Sequence, residues 1–256
     1  MGKIAEDFYN LWQFPNCLGA LNGQHISFRA PVSDRSYYYN YKGFHSIVLL
    51  AMCDARYKFT YVNVGTNGRI NDGGVFQQSL LQKALNNPHN SLNFPQDKEL
   101  PGQKCKVPFV IIADDAFPLS KRLIKPYSSR GLTEDCKIFY YYRLSRARRM
   151  IESSFGLLVN RFRVLLNPIN LSAEKVEIIT LACVVLHNYL ICNNNEKYAE
   201  SILEESHVND SLMPLGQQGS NNSSLETRLI RDEFKNFFNT SGAVPWQQQA
   251  IRNNNL

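Results

Sequence analysis

The sequence lacks the cysteine pairs that would indicate a zinc-binding motif or a disulfide framework. Its 256 residues include six cysteines, and no two of them stand at CxxC spacing. Metal binding through thiolates is therefore not indicated, and we expect free thiols in a reducing compartment.

Long apolar runs are also missing. No run approaches the roughly eighteen residues needed to span a bilayer, and the N-terminal residues MGKIAEDFYNLW contain no apolar core of a signal peptide. The sequence therefore predicts a globular protein with no membrane partner. No internal repeat is visible, so a repeat architecture is not expected.

Acidic residues are scarce in the first three quarters of the chain. Residues 1–192 contain 23 Lys and Arg against 14 Asp and Glu, whereas residues 193–224 contain one basic residue against five acidic ones. A basic folded region favours a polyanionic partner. Nucleic acid is favoured over a membrane surface, because no basic amphipathic anchor is evident.

Composition divides the chain into four parts. We predict an N-terminal lead at residues 1–16 and a main domain at residues 17–192. A flexible acidic linker rich in Asn and Ser is predicted at residues 193–224, followed by a C-terminal amphipathic helix and tail at residues 225–256.

Hydrophobic patterning predicts a mixed α/β fold. The strands are predicted at residues 17–29, 45–55, 58–65 and 107–119. The helices are predicted at residues 75–85, 133–163 and within 169–191. This order fits a mixed sheet flanked by helices on both faces.

The dipeptide Asn22-Gly23 interrupts the first predicted strand. Asn-Gly between apolar runs is a strong hairpin signal, because both residues tolerate a positive φ. On this interpretation Asn22 forms a turn and has no further role. The alternative is that Asn22 occupies a position where an active site would use an aspartate.

Three acidic residues stand out by their local context. Asp114 closes an apolar strand, Asp72 opens a helix after a glycine-rich loop, and Glu152 lies beside the apolar stripe of a long helix. Carboxylates at strand ends and on a facing helix suit a divalent cation such as Mg²⁺, which prefers hard oxygen ligands. Two such ions can activate a water and stabilise the leaving oxygen of a phosphodiester.

Each of these acids also has a purely structural alternative. Asp72 could cap its helix, since aspartate is favoured at helix N-termini. Asp114, or the acid after it, could cap a short helix at residues 117–124. Glu152 could pair with one of the two arginines that precede it by one turn.

Six motifs follow one another along the chain: LGALNGQHI, YYNYKGFHSIVLLAMCDARYKF, VNVGTNGRINDGGVF, ADDAFPL, LSRARRMIESSFGLLVNRFRVL and LACVVLHNYL. Together they resemble the DDE domain of Harbinger-type (PIF/Harbinger) transposases and of the transposase-derived nucleases related to them. The resemblance covers about residues 8–192, and GAVPWQ is similar to that family's C-terminus. It implies an RNase H-like fold and DNA strand cleavage that depends on a divalent metal cation, Mg²⁺ or Mn²⁺.

The resemblance also assigns site residues. Asp114 stands in the D-x-x-Y/F-P pattern and Glu152 in the E-x-x-F-G pattern, which makes both candidate catalytic and metal-binding residues. Asp72, in GRINDGG, matches a further metal-binding acid. The first aspartate of the triad belongs in an L/I-D-G-x-H-I motif, where this chain has Asn22.

Asn22 changes what the resemblance implies for activity. An amide oxygen can ligate a cation, but it brings no negative charge. Our hypothesis is a metal-dependent DNA endonuclease that binds one metal ion weakly and cleaves DNA slowly or not at all. The alternative is a catalytically inactive DNA- or protein-binding module, retained after the chemistry was lost.

The helix that carries Glu152 is strongly basic. Arg143, Arg146 and Arg149 recur every three residues on one side of it, and we predict that they contact DNA phosphates. The alternative is a solvated helix face with intrahelical pairs.

The resemblance has a further implication for partners. Members of that family usually carry a helix-turn-helix region ahead of the acidic domain, and only sixteen residues precede the first predicted strand here. We therefore expect a separate DNA-binding partner protein to read the sequence, unless the chain is a truncated copy. A DNA substrate also implies a location in the nucleus.

Overall fold

The computed structural model describes residues 1–87, 92–127, 133, 136, 143–193 and 223–249. The linker predicted at residues 193–224 lies outside the described residues except at its two ends. Most of the N-terminal third of the helix predicted at residues 133–163 also lies outside them.

The described secondary structure alternates short strands with helices. The strands are β1 (Cys17–Ser27), β2 (Ser46–Cys53), β3 (Phe59–Asn67), β4 (Lys98–Glu99), β5 (Lys106–Val107), β6 (Val110–Ile112) and β7 (Leu123–Ile124). The helices are α1 (Gly2–Trp12), α2 (Arg35–Tyr38), α3 (Asp72–Gln78), α4 (Leu80–Asn86), α5 (Ser145–Arg161), α6 (Ala173–Asn193) and α7 (Leu225–Asn239).

A five-stranded mixed sheet occupies the centre, in the order β3-β2-β1-β6-β7. The pairs β1–β2 and β2–β3 are antiparallel, whereas β1–β6 and β6–β7 are parallel. Strands β4 and β5 form a separate two-stranded ribbon. Helices pack against the sheet, so the predicted mixed α/β architecture is confirmed at this level.

The two faces of the sheet bury different helices. On one face Ala20 and Ile112 pack in a cluster with Phe155 of α5. On the other face Leu21 and its neighbours pack with Phe76 of α3. Because α3 and α5 cover opposite faces, an acid on α3 and an acid on α5 can approach each other only near the edge where strands end.

The two ends of the chain share one core with the sheet. Phe8 in α1 and Phe14, just beyond the end of α1, are fully buried. Phe14 stacks on Phe234 of α7 with ring centroids 5.7 Å apart. Phe237 and Phe238 complete the cluster. Burying each such side chain contributes about 1.5–3 kcal/mol. Both the N-terminal lead and the C-terminal helix therefore stabilise the sheet directly.

Tertiary pairing overrides two local predictions. Strand β1 continues through Asn22 and Gly23, which pair with Ala51 and Leu50 of β2, so the hairpin interpretation is wrong. The helix predicted at residues 75–85 is two helices that break at Ser79, whose Oγ caps the second by accepting the N–H of Gln82 at 3.2 Å.

The remaining strand pattern holds with one difference. Strands β2 and β3 fall within the predicted segments to two residues. No helix occupies residues 117–124, which are described throughout; strand β7 forms there instead and pairs with β6. The capping role considered for Asp114 in that helix is therefore wrong.

Helix α6 differs from expectation, because its length and composition would allow it to cross a membrane. In the structure it packs on the sheet and ties itself to it through polar contacts. The Nε2–H of His187 donates to the carbonyl of Tyr57 at 2.8 Å, and Asn188 bonds both backbone groups of Phe59 at 2.9 and 2.8 Å. These contacts tie one side of the helix to the sheet, while 33% of its apolar segment is buried and Ile178, Val185 and Tyr189 on it are exposed.

Candidate functional site

Asn22 and Asp114 lie side by side on neighbouring parallel strands. Ala20 is level with Ile112 in the ladder between β1 and β6, so two residues further along Asn22 is level with Asp114, just past the end of β6. Parallel neighbours are about 4.8 Å apart, and alternate residues share a face. Both side chains therefore lie on the face that α5 covers, as the sequence analysis requires of one site.

Asn22 is almost completely buried. It is 3% exposed, and its Oδ1 accepts the N–H of Gly23 at 2.9 Å. An amide oxygen has two lone pairs to offer to donors or cations, and this hydrogen bond uses one of them. An amide at this position is a weaker ligand for a cation than a carboxylate would be, because it carries no negative charge.

Asp72 is the first residue of α3 and is fully buried. Neither of its carboxylate oxygens has a hydrogen-bond partner among the described residues. The helix is capped instead by Asn71, whose Oδ1 accepts the N–H of Gly74 at 2.9 Å, so the capping alternative for Asp72 is wrong. A carboxylate buried without partners is costly unless it takes up a proton or a cation.

The electrostatics of Asp72 show which neighbours reach it. Burial raises the pKa of Asp72 well above its ordinary value, and the charge of Asp114 raises that pKa further. The ammonium of Lys42 acts in the opposite direction on the pKa of Asp72. Asp72 and Asp114 are thus electrostatic neighbours, although they enter the site from opposite faces of the sheet.

Asp114 is the centre of the acidic group. Burial raises its pKa, and the charges of Asp115 and Glu152 raise it further, while Arg148 and the N–H of Ala116 lower it. That N–H donates to Oδ1 of Asp114 at 3.0 Å, which fixes the side chain in a tight turn. The structure therefore brings Asp114 within electrostatic reach of Asp72 on one side and of Glu152 on the other.

Glu152 is held by an arginine of its own helix. Its Oε1 lies 2.6 Å from a guanidinium nitrogen of Arg148, one turn earlier on α5, and its side chain is 46% exposed. The intrahelical ion pair considered as the alternative role of Glu152 is therefore formed. Since Arg148 also lowers the pKa of Asp114, this arginine lies between the two carboxylates electrostatically.

The carboxylates do not close into a compact metal cage. Within the described ranges, no group of three or more His, Cys, Asp or Glu side chains is spaced to hold a metal ion. The pair that fits a cation by its chemistry is Asp72 and Asp114, because the charge of Asp114 acts on Asp72, and Asp72 is fully buried with no hydrogen-bond partner among the described residues; Asp114 is partly buried. Asn22 is level with Asp114 on the neighbouring strand, and the charge of Glu152 acts on Asp114.

The three arginines predicted to contact DNA do not share one exposed face. Arg143 is buried, contrary to expectation; it donates to the carbonyl of Gln13 at 2.8 Å and lies 4.6 Å from the ring centre of Phe238. Arg146 donates to Oε1 of Gln13 at 2.8 Å. Arg143, which precedes α5, thus contacts both the N-terminal segment and α7, and Arg146 of α5 contacts the N-terminal segment. Arg149, by contrast, is exposed. Phosphate contact by this set stays a prediction, and Arg149 is its best-placed member.

Lys42 and Arg148 are site residues that sequence reasoning missed. Lys42 interacts electrostatically with Asp72, and Arg148 with Asp114 and Glu152. Arg148 was considered only as a structural partner. The sequence signal that could have indicated a position of Lys42 near the acids is its place in the motif YYNYKGFHS.

Gly73 fixes the distance between α3 and the turn that holds Asp114. A Cβ atom at Gly73 would lie 2.7 Å from the carbonyl oxygen of Ala116, so the backbone would have to move. We expect Gly73→Ala to lower the free energy of unfolding by about 1–3 kcal/mol, the usual cost of overpacking. Urea denaturation measures this change.

Gly156 provides the matched control for Gly73. It lies inside α5, and a Cβ there would meet no atom within 4 Å. Gly156→Ala should therefore raise the free energy of unfolding by about 0.5–1 kcal/mol, through helix propensity alone. Equal effects of the two substitutions would show that α3 does not approach the Asp114 turn this closely.

Comparison with known proteins identifies the family of the chain. A family model described as DDE superfamily endonuclease matches residues 21–188, which include Asn22, Asp72, Asp114 and Glu152. No solved structure matches the chain significantly.

Several curated proteins are similar to most of this chain. The rat protein named "Putative nuclease HARBI1" is 31% identical over 190 residues, which is 73% of this chain and 49% of the rat protein. The human protein of the same name is 30% identical over 188 residues, 72% of this chain and 49% of its own length. The Arabidopsis thaliana protein named "Protein ALP1-like" is 25% identical over 213 residues, 81% of this chain and 51% of its own length. The chain thus spans about half the length of the curated relatives it matches.

Proposed function

The chain belongs to the DDE superfamily endonucleases, and from this premise we propose that residues 17–192 form an RNase H-like domain that cleaves DNA with the help of a divalent metal cation. The proposed reaction is phosphodiester hydrolysis in the nucleus, weakened by Asn22. The observation that carries the proposal is the buried carboxylate of Asp72, which has no hydrogen-bond partner among the described residues and lies within electrostatic reach of Asp114.

The donor set fits a hard divalent cation. Asp72 and Asp114 would hold it, with Asn22 and Glu152 as further oxygen donors, and oxygen donors are what Mg²⁺ and Mn²⁺ accept. When bound, such a cation supplies the charge that activates a water and stabilises the leaving oxygen of a phosphodiester. Without it, burial disfavours the ionised forms of both aspartates, and so does nearby negative charge: that of Asp114 at Asp72, and those of Asp115 and Glu152 at Asp114.

Other residues prepare the site for an anionic substrate. The Ala116 N–H holds Asp114 in one orientation, so the carboxylate needs little reorganisation when the site is filled. The charges of Lys42 and Arg148 offset part of the repulsion that a DNA phosphate would meet beside three carboxylates. These two residues therefore support binding of the backbone next to the acids.

Thermal unfolding with and without Mn²⁺ tests the proposal. Wild-type protein should gain thermal stability as Mn²⁺ is added, because a ligand that binds only the folded state stabilises it. Asp114→Asn should lose most of this gain. Asp115→Asn is the matched control, because it removes the same charge one residue away and should keep the gain.

A result in which Asp114→Asn and wild type gain equally from Mn²⁺ would remove the metal site from the proposal. Magnesium should act in the same direction as Mn²⁺, and excess chelator should restore the metal-free melting temperature in every variant.

Two observations favour a second candidate, a DNA- or protein-binding module without chemistry. Asn22 removes one charge from the ligand set, and the guanidinium of Arg148 already neutralises Glu152 at 2.6 Å. A module of this kind should hold DNA equally well with Mn²⁺ and with chelator. A nuclease, even a slow one, should nick plasmid DNA only when the metal is present.

A further inference from the structure

A pocket of about 540 Å³ opens beside the C-terminal end of β1. Its walls include His25, Arg29, Arg35 and His45. A second cavity of about 480 Å³ shares Arg29 and Arg35 with the first and continues past them toward Ser172. The two cavities form one groove with the two arginines at its middle, and we call it the Arg29–Arg35 groove.

The charge of this groove has one sign. Among the described residues, none that lines either cavity is acidic. Both arginines are exposed, and within the described residues neither guanidinium makes an ion pair or a side-chain hydrogen bond. An arginine fork without a carboxylate partner is suited to phosphate oxygens, which it can contact at two points.

His25 adds a buried donor to the wall of the groove. It is 2% exposed, its Nδ1 lies 2.8 Å from Oγ of Ser46, and its Nε2 has no partner among the described residues. Asn40 already donates to the same Oγ at 2.8 Å. In the tautomer in which Ser46 donates its hydroxyl hydrogen to Nδ1, the imidazole carries its own hydrogen on Nε2.

The groove joins the acidic site through one short segment. Residues 41–45 supply Lys42, whose charge reaches both Asp72 and His25, and they also supply His45 to the wall of the groove. Burial, aided by Lys42, lowers the pKa of His25 to about 4, so this ring is a neutral donor at pH 7. Positive and donor groups thus continue from the edge of the acidic site into the groove.

We propose that the Arg29–Arg35 groove binds backbone phosphates of the same DNA whose cleavage is proposed at Asp72 and Asp114, a proposal that rests on that function. Ser27, in the groove wall, follows Asn22 by five residues of β1, which is about 17 Å at about 3.4 Å per residue. One DNA strand carries a phosphate about every 3.4 Å along the axis. The groove therefore contacts phosphates about five nucleotides from the cleavage position.

Fluorescence anisotropy with a labelled 30-base-pair duplex, in chelator, tests the groove without any need for cleavage. Arg29→Ala/Arg35→Ala should weaken binding about tenfold or more at low salt. It should also flatten the slope of log affinity against log salt by about two, since each lost phosphate contact contributes about 0.9. Arg29→Lys/Arg35→Lys should retain most of the affinity and salt dependence, because it keeps both charges.

Lys104→Ala/Lys106→Ala is the matched control. It removes two exposed positive charges near β5, next to the start of β1 and so away from the groove, and should change affinity and slope little. Equal loss in the two double variants would overturn the groove, because binding would then follow net charge alone. Unchanged melting curves would show that the variants are folded.

Two further outcomes separate this inference from the proposed function. If wild type nicks DNA with Mn²⁺ but Arg29→Ala/Arg35→Ala binds the duplex as tightly as wild type, the groove is refuted and the nuclease stands. If inorganic phosphate saturates wild type in calorimetry while the duplex does not bind, the groove serves a free phosphate ligand, and both the DNA groove and the nuclease are refuted.

Discussion

Asn22→Asp is expected to nick plasmid DNA in Mn²⁺ at least about 100-fold faster than wild type. Removing one group that stabilises the charge developing in a transition state typically lowers the rate by about 10²–10³-fold. Asn22→Asp restores a group of this kind. The position is already level with Asp114 on the adjoining strand and nearly excluded from water. In such a site the interaction of a carboxylate with a dication is much stronger than in bulk water.

The fold should tolerate this substitution well. Aspartate has the shape of asparagine, and the N–H of Gly23 that now donates to the amide oxygen can donate to the carboxylate instead. The ladder between β1 and β2 involves only the backbone at this position, where residue 22 pairs with Ala51. In the absence of metal the new charge adds to the repulsion around Asp114, so the variant should be more dependent on Mn²⁺ for stability.

Two variants in the Asn22→Asp background distinguish a restored site from a new one. Glu152→Gln should abolish the gained nicking, whereas Asp115→Asn should leave it intact. Intact-mass analysis should confirm that the wild-type sample still carries the amide at Asn22, since Asn-Gly pairs deamidate. Wild type that cuts as fast as Asn22→Asp would show that the asparagine does not limit the reaction.

The central strands of the sheet could be predicted because they coincide with apolar runs in the sequence. Strand β2 is a nearly continuous apolar segment, as a central strand covered on both faces must be. The edges were less predictable, because β7 has only two residues and draws its stability from pairing with β6. The turn preference of Asn22-Gly23 failed for the same reason, since eight ladder pairs with β2 outweigh one local preference.

The candidate acids could be picked out from the sequence, whereas the charges around them could not. Asp114 follows an apolar run and Asn22 stands in a motif inside β1, and the pairing of β1 with β6 brings the two positions level. The counter-charges depend on tertiary packing, so neither the approach of Lys42 to Asp72 nor the burial of Arg143 against Phe238 is visible in the sequence. Periodicity alone put Arg143 on a DNA-facing row, because spacing cannot tell solvent from a docked helix.

Asp72→Asn is expected to stabilise the metal-free protein by about 1–3 kcal/mol at pH 7, because each unit by which the folded protein raises the pKa of Asp72 costs about 1.4 kcal/mol and the uncharged amide avoids this cost. The wild-type carboxylate is buried, has no hydrogen-bond partner among the described residues, and lies near the charge of Asp114. The amide removes that charge at the same volume. Equilibrium urea denaturation in chelator measures the difference, and Asp115→Asn, at a position outside the proposed pair, should change stability little.

The same difference should depend on pH in a defined direction. The pKa of Asp72 is raised in the folded protein, whereas in the unfolded chain it is about 3.9. Folded wild type therefore keeps a proton that the unfolded chain loses as the pH rises above about 4, and its free energy of unfolding falls from there to the folded pKa. The advantage of Asp72→Asn should thus be small near pH 3 and fully developed once Asp72 is ionised in the folded state.

Adding Mn²⁺ should reverse the order of the two proteins. Wild type gains stability from the cation that its carboxylate can hold, while Asp72→Asn has lost that ligand and should gain little. A variant that is less stable than wild type in chelator would show that Asp72 has a structural partner outside the described residues. Equal gains from Mn²⁺ in both proteins would place the cation elsewhere, and Asp72 would then be a buried acid without a role in the site.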